Sequence, residues 1–276
     1  MRFSIVTPSF RNSAWLRLCV ASIADQQGAE FEHIVQDSCS DDGTQDWLPG
    51  DPRVKAFVEK DAGMYDAVNR GFRRATGDIL AYVNSDEQLL PGALKAVGDF
   101  FSAHPEVDAV LPDTVVVDQD GNYVSHRYSL VPLRHHIWHR FPVLTCALFV
   151  RRRVVVEKGI WLDTRWRDLG DVFWVMEMVN RGVRMAELRR FTSVFTETGD
   201  NMNFKPNAVR EKLEKAEMMP LRVRLLGPAY LLFHKMRLLR SGVFFQRSFD
   251  YELYTRQSPG ARVAHHVKKP TARWRR

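Results

Sequence analysis

The sequence predicts an α/β protein built on an open sheet, with a basic helical region at its C-terminal end. Three observations carry this reading. Short apolar runs of strand character alternate with segments of helical period over the first 110 residues. Their spacing is too short for a barrel of eight β/α units. The charge also changes along the chain: from Lys205 onward there are 17 Lys+Arg against 5 Asp+Glu, leaving 23 against 28 in residues 1–204. An open α/β sheet binds ligands at the C-terminal ends of its strands. The composition shift at Asn203 to Pro206 divides the chain into a body, residues 1–204, and a basic region, residues 205–276.

The elements follow in order. Arg2 to Thr7 reads as a buried strand ended by Pro8, and Ala14 to Gln27 as a helix with Leu16, Val20, Ile23 and Ala24 on one face, capped by Asn12 or Ser13. Glu32 to Gln36 is a second strand. Ser40 to Thr44 has turn chemistry, and a short helix from Thr44 to Leu48 stops at Pro49-Gly50. Val54 to Glu59 is a third strand, Met64 to Ala75 a helix, and Asp78 to Asn84 a fourth strand. Pro91 opens a helix that runs to Ser102. Val107 to Leu111 is a further strand, and Thr114 to Asp118 and Tyr123 to Tyr128 form a hairpin around Asp120-Gly121.

Composition excludes several classes. Hydrophobic residues at 45% and charged residues at 26% rule out wholesale disorder. Cys19, Cys39 and Cys146 are sparse and far apart, which argues against a disulfide framework or a structural zinc site and fits a reducing compartment. Met1 to Phe10 has no secretory h-region, and no run of about 18 uncharged apolar residues predicts a spanning helix. The expected location is therefore cytoplasmic. GxxxxGK[ST], a GxGxxG after the first strand, HExxH and GxSxG are all absent.

Acidic residues instead follow successive strands: Asp37 the second, Asp61 the third, Asp86 and Glu87 the fourth. Asp caps helices and begins turns, so any one of them is unremarkable alone. Together they crowd one rim with negative charge, which is unfavourable unless a cation binds there. Mg²⁺ or Mn²⁺ bridging a polyphosphate would answer that.

Five stretches now stand in order: Ile5-Val6-Thr7-Pro8-Ser9-Phe10; Glu32-His33-Ile34-Val35-Gln36-Asp37 with Ser40-Asp41-Asp42-Gly43-Thr44; Glu59-Lys60-Asp61-Ala62-Gly63-Met64-Tyr65-Asp66-Ala67 with Asn69-Arg70-Gly71; Ala75-Thr76-Gly77-Asp78; and Asn84-Ser85-Asp86-Glu87. Over roughly residues 1 to 200 the chain resembles the family 2 glycosyltransferases. The resemblance implies a GT-A-like open mixed sheet with a Rossmann-like nucleotide-binding half (residues 1–110) and an acceptor-side half (residues 111–204). It also implies an inverting, metal-dependent transferase that uses a nucleotide-diphosphate sugar. By the same resemblance Thr7, Pro8 and Phe10 line the base pocket, and Asp37 accepts a hydrogen bond from a pyrimidine ring N–H. Asp61 lies beside the nucleoside, where Gly63 permits close backbone approach. Asn84-Ser85-Asp86 takes the place of the family's DxD, with Asp86 on the metal and Ser85 beside it. Asn84, with one neutral oxygen, is the weaker ligand and is read as positioning ribose or phosphate. Ser38, Cys39 and Glu87 depart from the family's usual glycines and second Asp.

The family's general base is an Asp at the start of a helix with an apolar run ending in Gly. Asp171-Val172-Phe173-Trp174-Val175-Met176-Glu177-Met178-Val179 runs here to Asn180-Arg181-Gly182, so the resemblance assigns the base to Asp171. Asp168 is a rival, and an N-cap role for Asp171 the plain alternative. Thr145 and Trp166 are candidates for the acceptor cleft, and Asn201 for the diphosphate. His135, His136 and His139 read as a helix face rather than a metal site, and Arg151, Arg152 and Arg153 as a solvated turn.

In the basic region, Met219 to Phe245 mixes apolar clusters with Arg222, Arg224, Lys235, Arg237 and Arg240. This suits amphipathic helices on an anionic bilayer surface, on the cytoplasmic face. It equally suits helices packed on the body with cations in water. Lys268 to Arg276 is expected to be disordered. No recognition helix, RNP-like strand or zinc finger supports a nucleic-acid partner. The expected function is sugar transfer from a UDP-sugar to a saccharide or lipid-linked saccharide in surface polysaccharide synthesis. The rivals are a sugar-nucleotidyltransferase, whose Gly-rich opening loop is absent, and a non-catalytic binding scaffold.

Overall fold

A computed structural model describes residues 1–199 and 206–273. The N-terminal half contains β1 (Arg2–Ser9), α1 (Ser13–Ala24), β2 (Glu30–Asp37), β3 (Lys55–Val58), α2 (Met64–Arg74) and β4 (Ile79–Tyr82). β1 pairs in parallel with β2 on one side and β4 on the other, and β2 pairs in parallel with β3. Parallel strands are covered on both faces, and β1 and β4 are buried along nearly their whole length. Alternation sorts their side chains. Ile5, Ile79 and Ala81 meet Cys19 and Ile23 of α1, whereas Val6, Leu80 and Tyr82 meet Val68 and Phe72 of α2.

The second half adds β5 (Gln88–Leu89), α3 (Ala93–Ala103), β6 (Ala109–Asp118), β7 (Tyr123–Arg127), β8 (Phe149–Arg151), α4 (Arg152–Val155), α5 (Gly170–Asn180) and β9 (Met185–Glu197). The sheet runs β3-β2-β1-β4-β8-β6-β9-β5, with β7 paired to β6. β8 is antiparallel to β4 and β6, so the sheet is mixed, as expected. α5 covers the same face as α2, and its Trp174 ring lies 6.0 Å from Phe72 and 6.3 Å from Tyr82. α3 covers the other face through Leu94, Val97 and Phe101.

Several boundaries differ from the sequence reading. β1 does not stop at Pro8 but continues to Ser9, with Pro8 opposite Gln36 and Ser9 opposite Asp37. The segments expected as two strands, from Val107 to Leu111 and from Thr114 to Asp118, are one strand, β6, whose register with β9 shifts around Pro112 and Asp113. The short helix near Thr44 is a pair of 3₁₀ turns, Thr44–Asp46 and Leu48–Gly50.

The basic region is helical only in its first part: α6 (Pro206–Glu217), α7 (Leu221–Leu225) and α8 (Gly227–Arg240). It then forms an antiparallel hairpin, β10 (Phe249–Thr255) and β11 (Ser258–Val267), where helix was expected. Tyr251, Leu253 and Val267 of this hairpin pack on Val115, Val117 and Val194 of the main sheet. Arg262 pins it to α1 through Asp25 at 2.6 Å. The end expected to be disordered is tied down as far as it is described: the Thr271 N–H donates to Tyr123 Oη at 2.9 Å, and the Thr271 carbonyl accepts from the His126 N–H at 3.1 Å. Among the described residues no helix is long and apolar enough to cross a membrane.

Gly77 marks the tightest approach to β1. A Cβ there would lie 2.7 Å from the Phe3 carbonyl carbon and 2.8 Å from the Arg2 oxygen, both backbone atoms that cannot swing away. Gly77→Ala is therefore expected to lose about 1–3 kcal/mol through overpacking. Denaturant unfolding would read this as a lower midpoint at unchanged slope. An unchanged midpoint would show that this turn does not press on β1.

Candidate functional site

Parallel pairing brings the C-terminal ends of β1, β2, β3 and β4 to one rim. The rim opens into a cavity of about 1430 Å³, closed on the far side by the start of α5, by α6 and by the segment from Arg140 to Thr145. Among the described residues seven cationic side chains line it, Arg11, Lys60, Arg127, Arg140, Arg167, Lys212 and Lys215, against five carboxylates, Asp61, Asp86, Glu87, Asp168 and Asp171. The surplus of positive charge suits an anionic ligand, while the carboxylates hold specific places within it.

At the β1 edge, Pro8 and Phe10 line the cavity. The Phe10 ring is half exposed, with the Arg11 guanidinium 5.0 Å and Lys60 Nζ 5.3 Å from its centroid. Arg11 is held at a φ of 51°, its N–H donating to Ser40 Oγ at 2.8 Å and its guanidinium to Asp41 at 2.6 and 2.7 Å. Thr7 departs from expectation. It points to the opposite face of the sheet, where its buried hydroxyl lies 2.9 Å from His33 Nε2 and 3.6 Å from Cys19 Sγ, and it does not line the cavity. Burial holds His33 down at about 3, so that ring is neutral.

Asp37 stands at the end of β2 but is fully buried behind its own turn, and it too does not line the cavity. Its two oxygens accept from the Ser40 N–H at 2.8 Å and the Ser40 hydroxyl at 2.6 Å. Asp61 and Gly63 are on the wall. Asp61 Oδ1 accepts from the Gly63 N–H at 2.9 Å, and Gly63 opens α2 at a φ of 127°, in the region that favours glycine.

After β4, Asn84, Ser85, Asp86 and Glu87 all face the cavity. Ser85 Oγ accepts from Asn12 Nδ2 at 2.8 Å. Burial pushes the Asp86 carboxyl above its ordinary range, and burial together with the neighbouring Asp86 pushes Glu87 up as well. One Glu87 oxygen accepts from the Asn84 N–H at 2.8 Å, while Asn84 Oδ1 is buried with no hydrogen-bond partner. An orphaned oxygen beside two desolvated carboxylates fits a hard divalent cation. Mg²⁺ typically takes one or two protein carboxylates and completes its shell with phosphate and water. Among the described residues no group of three or more His, Cys, Asp or Glu side chains is placed to hold a metal ion by itself.

Across the cavity, Asp171 lies in the first turn of α5. Its Oδ1 accepts from the Val172 N–H at 2.8 Å and from Tyr65 Oη at 3.3 Å. Burial pushes it up to about 6, against the pull of those donors and of Lys215. Gly170 makes room for this contact, because a Cβ there would stand 2.5 Å from the Tyr65 ring. Asp168, the rival base, has Oδ2 occupied by Asn207 Nδ2 at 2.5 Å. Thr145 lines the cavity; Trp166 does not, and stacks on Phe173 at 4.0 Å. Asn201 lies outside the described residues. His136 and His139 pack on Tyr230, and Arg153 pairs with buried Asp108 at 2.7 Å.

Sequence reasoning gave no role to Tyr65, Lys60 or the α6 residues Lys212 and Lys215. Tyr65 was inside a quoted motif, but only the fold shows that α2 aims it at the start of α5. Lys215 stands eight positions after Asn207 and four after Glu211, a one-face helical spacing that was visible in the sequence.

The chain is 34% identical over 177 residues to the PGL/p-HBAD biosynthesis glycosyltransferase of Mycobacterium tuberculosis, a match covering 61% of this chain and 66% of the relative. It is 33% identical over 90 residues to the putative teichuronic acid biosynthesis glycosyltransferase TuaG of Bacillus subtilis, over 31% of this chain and 36% of TuaG. Its fold is similar to that of S. aureus TarS 1-349 in complex with UDP-GlcNAc, with a TM-score of 0.64 at 19% identity over 79% of this chain and 65% of that one. It is also similar to the mannosyltransferase PcManGT of Pyrobaculum calidifontis in complex with GDP-Man and Mn2+, with a TM-score of 0.54 at 16% identity over 83% and 73%. Glycosyl transferase family 2 matches residues 4–159, more than half of the chain, and the protein belongs to that family.

Proposed function

We propose that this protein is an inverting glycosyltransferase that moves one sugar from a UDP-sugar to a hydroxyl of a saccharide or lipid-linked saccharide during surface polysaccharide synthesis. The observation that carries the reading is the pair of facing walls in one cavity, Asn84 to Glu87 on one side and Asp171 on the other. Phe10 offers a flat face for the base, flanked by cations that reach toward phosphate. Asp61 and the exposed backbone at Gly63 serve the nucleoside. Asp37 would accept the pyrimidine N–H once Ser40 yields one of its two bonds. Asp86, with Asn84 Oδ1 and Ser85 alongside, would hold Mg²⁺ or Mn²⁺, which supplies charge neutralisation for a diphosphate leaving group.

In the transfer, the acceptor oxygen forms a bond to the anomeric carbon as the bond from that carbon to the diphosphate oxygen breaks. The acceptor proton passes to Asp171, and the nucleoside diphosphate leaves with the bonding pair. Asp171 suits the task because its proton affinity is raised toward the working pH, where a general base is most effective. Tyr65 orients the carboxylate by donating to Oδ1.

The outward surface of the basic region supports a bilayer as the place of work. Among the described residues, twelve of fourteen exposed large apolar side chains fall between Val209 and Phe245. From Met218 to Phe249 there is no Asp or Glu, while Arg222, Arg224, Lys235, Arg237, Arg240 and Arg247 are interleaved. α8 has a face suited to each alternative drawn from the sequence. Its inner face packs on the body, with Tyr230 4.7 Å from His136 and Arg237 donating to the Val131 carbonyl at 2.8 Å. Its outer face presents Leu232, Met236 and Leu239. Apolar side chains in a cationic field match an anionic bilayer surface.

Asp171→Asn is expected to keep donor binding, read by thermal shift with Mn²⁺, and to lose at least about 10²-fold in transfer, the scale of general-base catalysis. Asp86→Ala is expected to abolish the metal-dependent part of donor binding. Transfer at the wild-type rate by Asp171→Asn would remove the base assignment, and a wild type that binds a UDP-sugar without ever releasing UDP would favour the scaffold reading.

The base must be unprotonated to act. With Asp171 at about 6, transfer is expected to rise as pH increases through that value and to level off above it. A rate that is flat between pH 5 and 7 would contradict this.

Flotation with phosphatidylglycerol vesicles is expected to carry the protein at low salt and release it at high salt, while phosphatidylcholine vesicles carry little. Leu232→Glu with Leu239→Glu should abolish flotation. Equal behaviour on both lipids, or in the double variant, would argue against bilayer docking.

A further inference from the structure

The chain enters α5 through Arg167, Asp168 and Leu169, two residues before Asp171. Leu169, the N-cap residue of α5, offers no side-chain cap, and the N–H groups of the turn that leads into the helix lie outside its hydrogen-bond ladder. The partner comes from α6, in the basic region. Glu211 Oε1 accepts from the Arg167 N–H at 2.8 Å, and Oε2 accepts from the Asp168 N–H at 3.0 Å and the Leu169 N–H at 2.9 Å. Glu211 is 1% exposed. A carboxylate buried so completely in an otherwise ordinary surface helix needs a compensating role, and three convergent amides provide it.

We infer that Glu211 is a positioning residue for the transfer reaction, fixing the entry of α5 and with it the place of Asp171 in the cavity. The inference rests on the reading of Asp171 as the base. The contact is built into one face of α6. Asn207, four residues before Glu211, donates to Asp168 Oδ2 at 2.5 Å and to Glu211 Oε1 at 2.9 Å. Lys215, four residues after, lines the cavity and donates to the Ile137 carbonyl at 3.3 Å. Asn207 and Glu211 thus dock α6 on the start of α5, and Lys215 ties the next turn of α6 to the segment at Ile137. Burial alone would raise the proton affinity of Glu211, but the amides and Asn207 overcome it, so the carboxyl stays below its usual range and remains a charged acceptor. Glu211 lies beyond residue 159, where the family match ends, as does Asp171 itself.

The test compares Glu211→Ala and Glu211→Gln with the wild type and with Asp171→Asn. Turnover is read as UDP release from UDP-glucose, UDP-galactose or UDP-N-acetylglucosamine with Mn²⁺, using whichever the wild type consumes. A misplaced catalytic group typically loses about 10²-fold, so Glu211→Ala should lower kcat by about that factor. Its affinity for the same UDP-sugar should stay within about twofold. Glu211→Gln, which keeps the shape and one accepting oxygen, should recover part of the loss. In the Asp171→Asn background Glu211→Ala should cost nothing further, the non-additivity of groups that act as a unit. Hydrogen exchange gives a readout independent of turnover. Glu211→Ala should lose protection at Arg167, Asp168 and Leu169 and on into Asp171 and Val172. Unchanged kcat, a parallel loss of donor affinity, additive losses, or exchange changes confined to α6 would each overturn the inference. If the wild type consumes no donor, the transferase reading has failed, and exchange alone decides whether Glu211 seats α5.

Discussion

The site depends on β1 lying parallel between β2 and β4. This pairing sends three strand ends to the same edge, and each chain must turn there with polar residues. Ser9 stands opposite Asp37, and Val6 opposite Tyr82, so the loops that follow β2 and β4 leave the sheet on either side of the end of β1. The same edge therefore gathers carboxylates that would repel one another in an isolated loop. Asp86 and Glu87 are both driven toward the protonated form by burial, and Asn84 leaves an oxygen unpartnered beside them. Core packing alone does not produce such an arrangement. It suits the proposed arrival of a cation together with an anionic ligand.

Much of this edge was legible in the sequence because parallel strands are short apolar runs punctuated by turn residues. The order of Asp37, Asp61 and Asp86 could be read directly. What failed was direction. Thr7, Pro8 and Phe10 were grouped, yet in a strand successive side chains alternate between faces. Thr7 shares the face of Phe3 and Ile5, against Cys19, whereas Pro8 turns to the cavity with Val6's side of the sheet. Applying that period to β1 would have separated them. Asp37 shows a different limit. Its place at the strand end was right, but Ser40, three residues on, claims both its oxygens, a local competition that turn chemistry permits and residue type alone does not reveal.

The second half was less readable because its pairings are distant. β9 joins β6 from about 80 positions further along the chain, and β8 is inserted between β4 and β6. The basic region misled in another way. Counting cations drew attention to charge and away from the alternation in Phe249-Asp250-Tyr251-Glu252-Leu253, which forms a strand with Tyr251 and Leu253 buried. Its hairpin closes over β6 and β7, so the region is seated on the sheet rather than trailing from it.

α6 connects these themes. Ala208 and Glu211 are buried on its inner side, while Val209 and Leu213 are exposed on its outer side. One rigid helix thus meets the entry of α5 with one face and continues the apolar, cationic surface with the other. Lys212 and Lys215 of the same helix line the cavity. In the proposed reaction, an acceptor carried by a lipid would reach Asp171 past this helix, so its approach and the seating of the base depend on one element. That helix, like α5 with Asp171, lies beyond the span matched by the family, so the residues proposed to carry the base and to seat it come from the same C-terminal part of the chain.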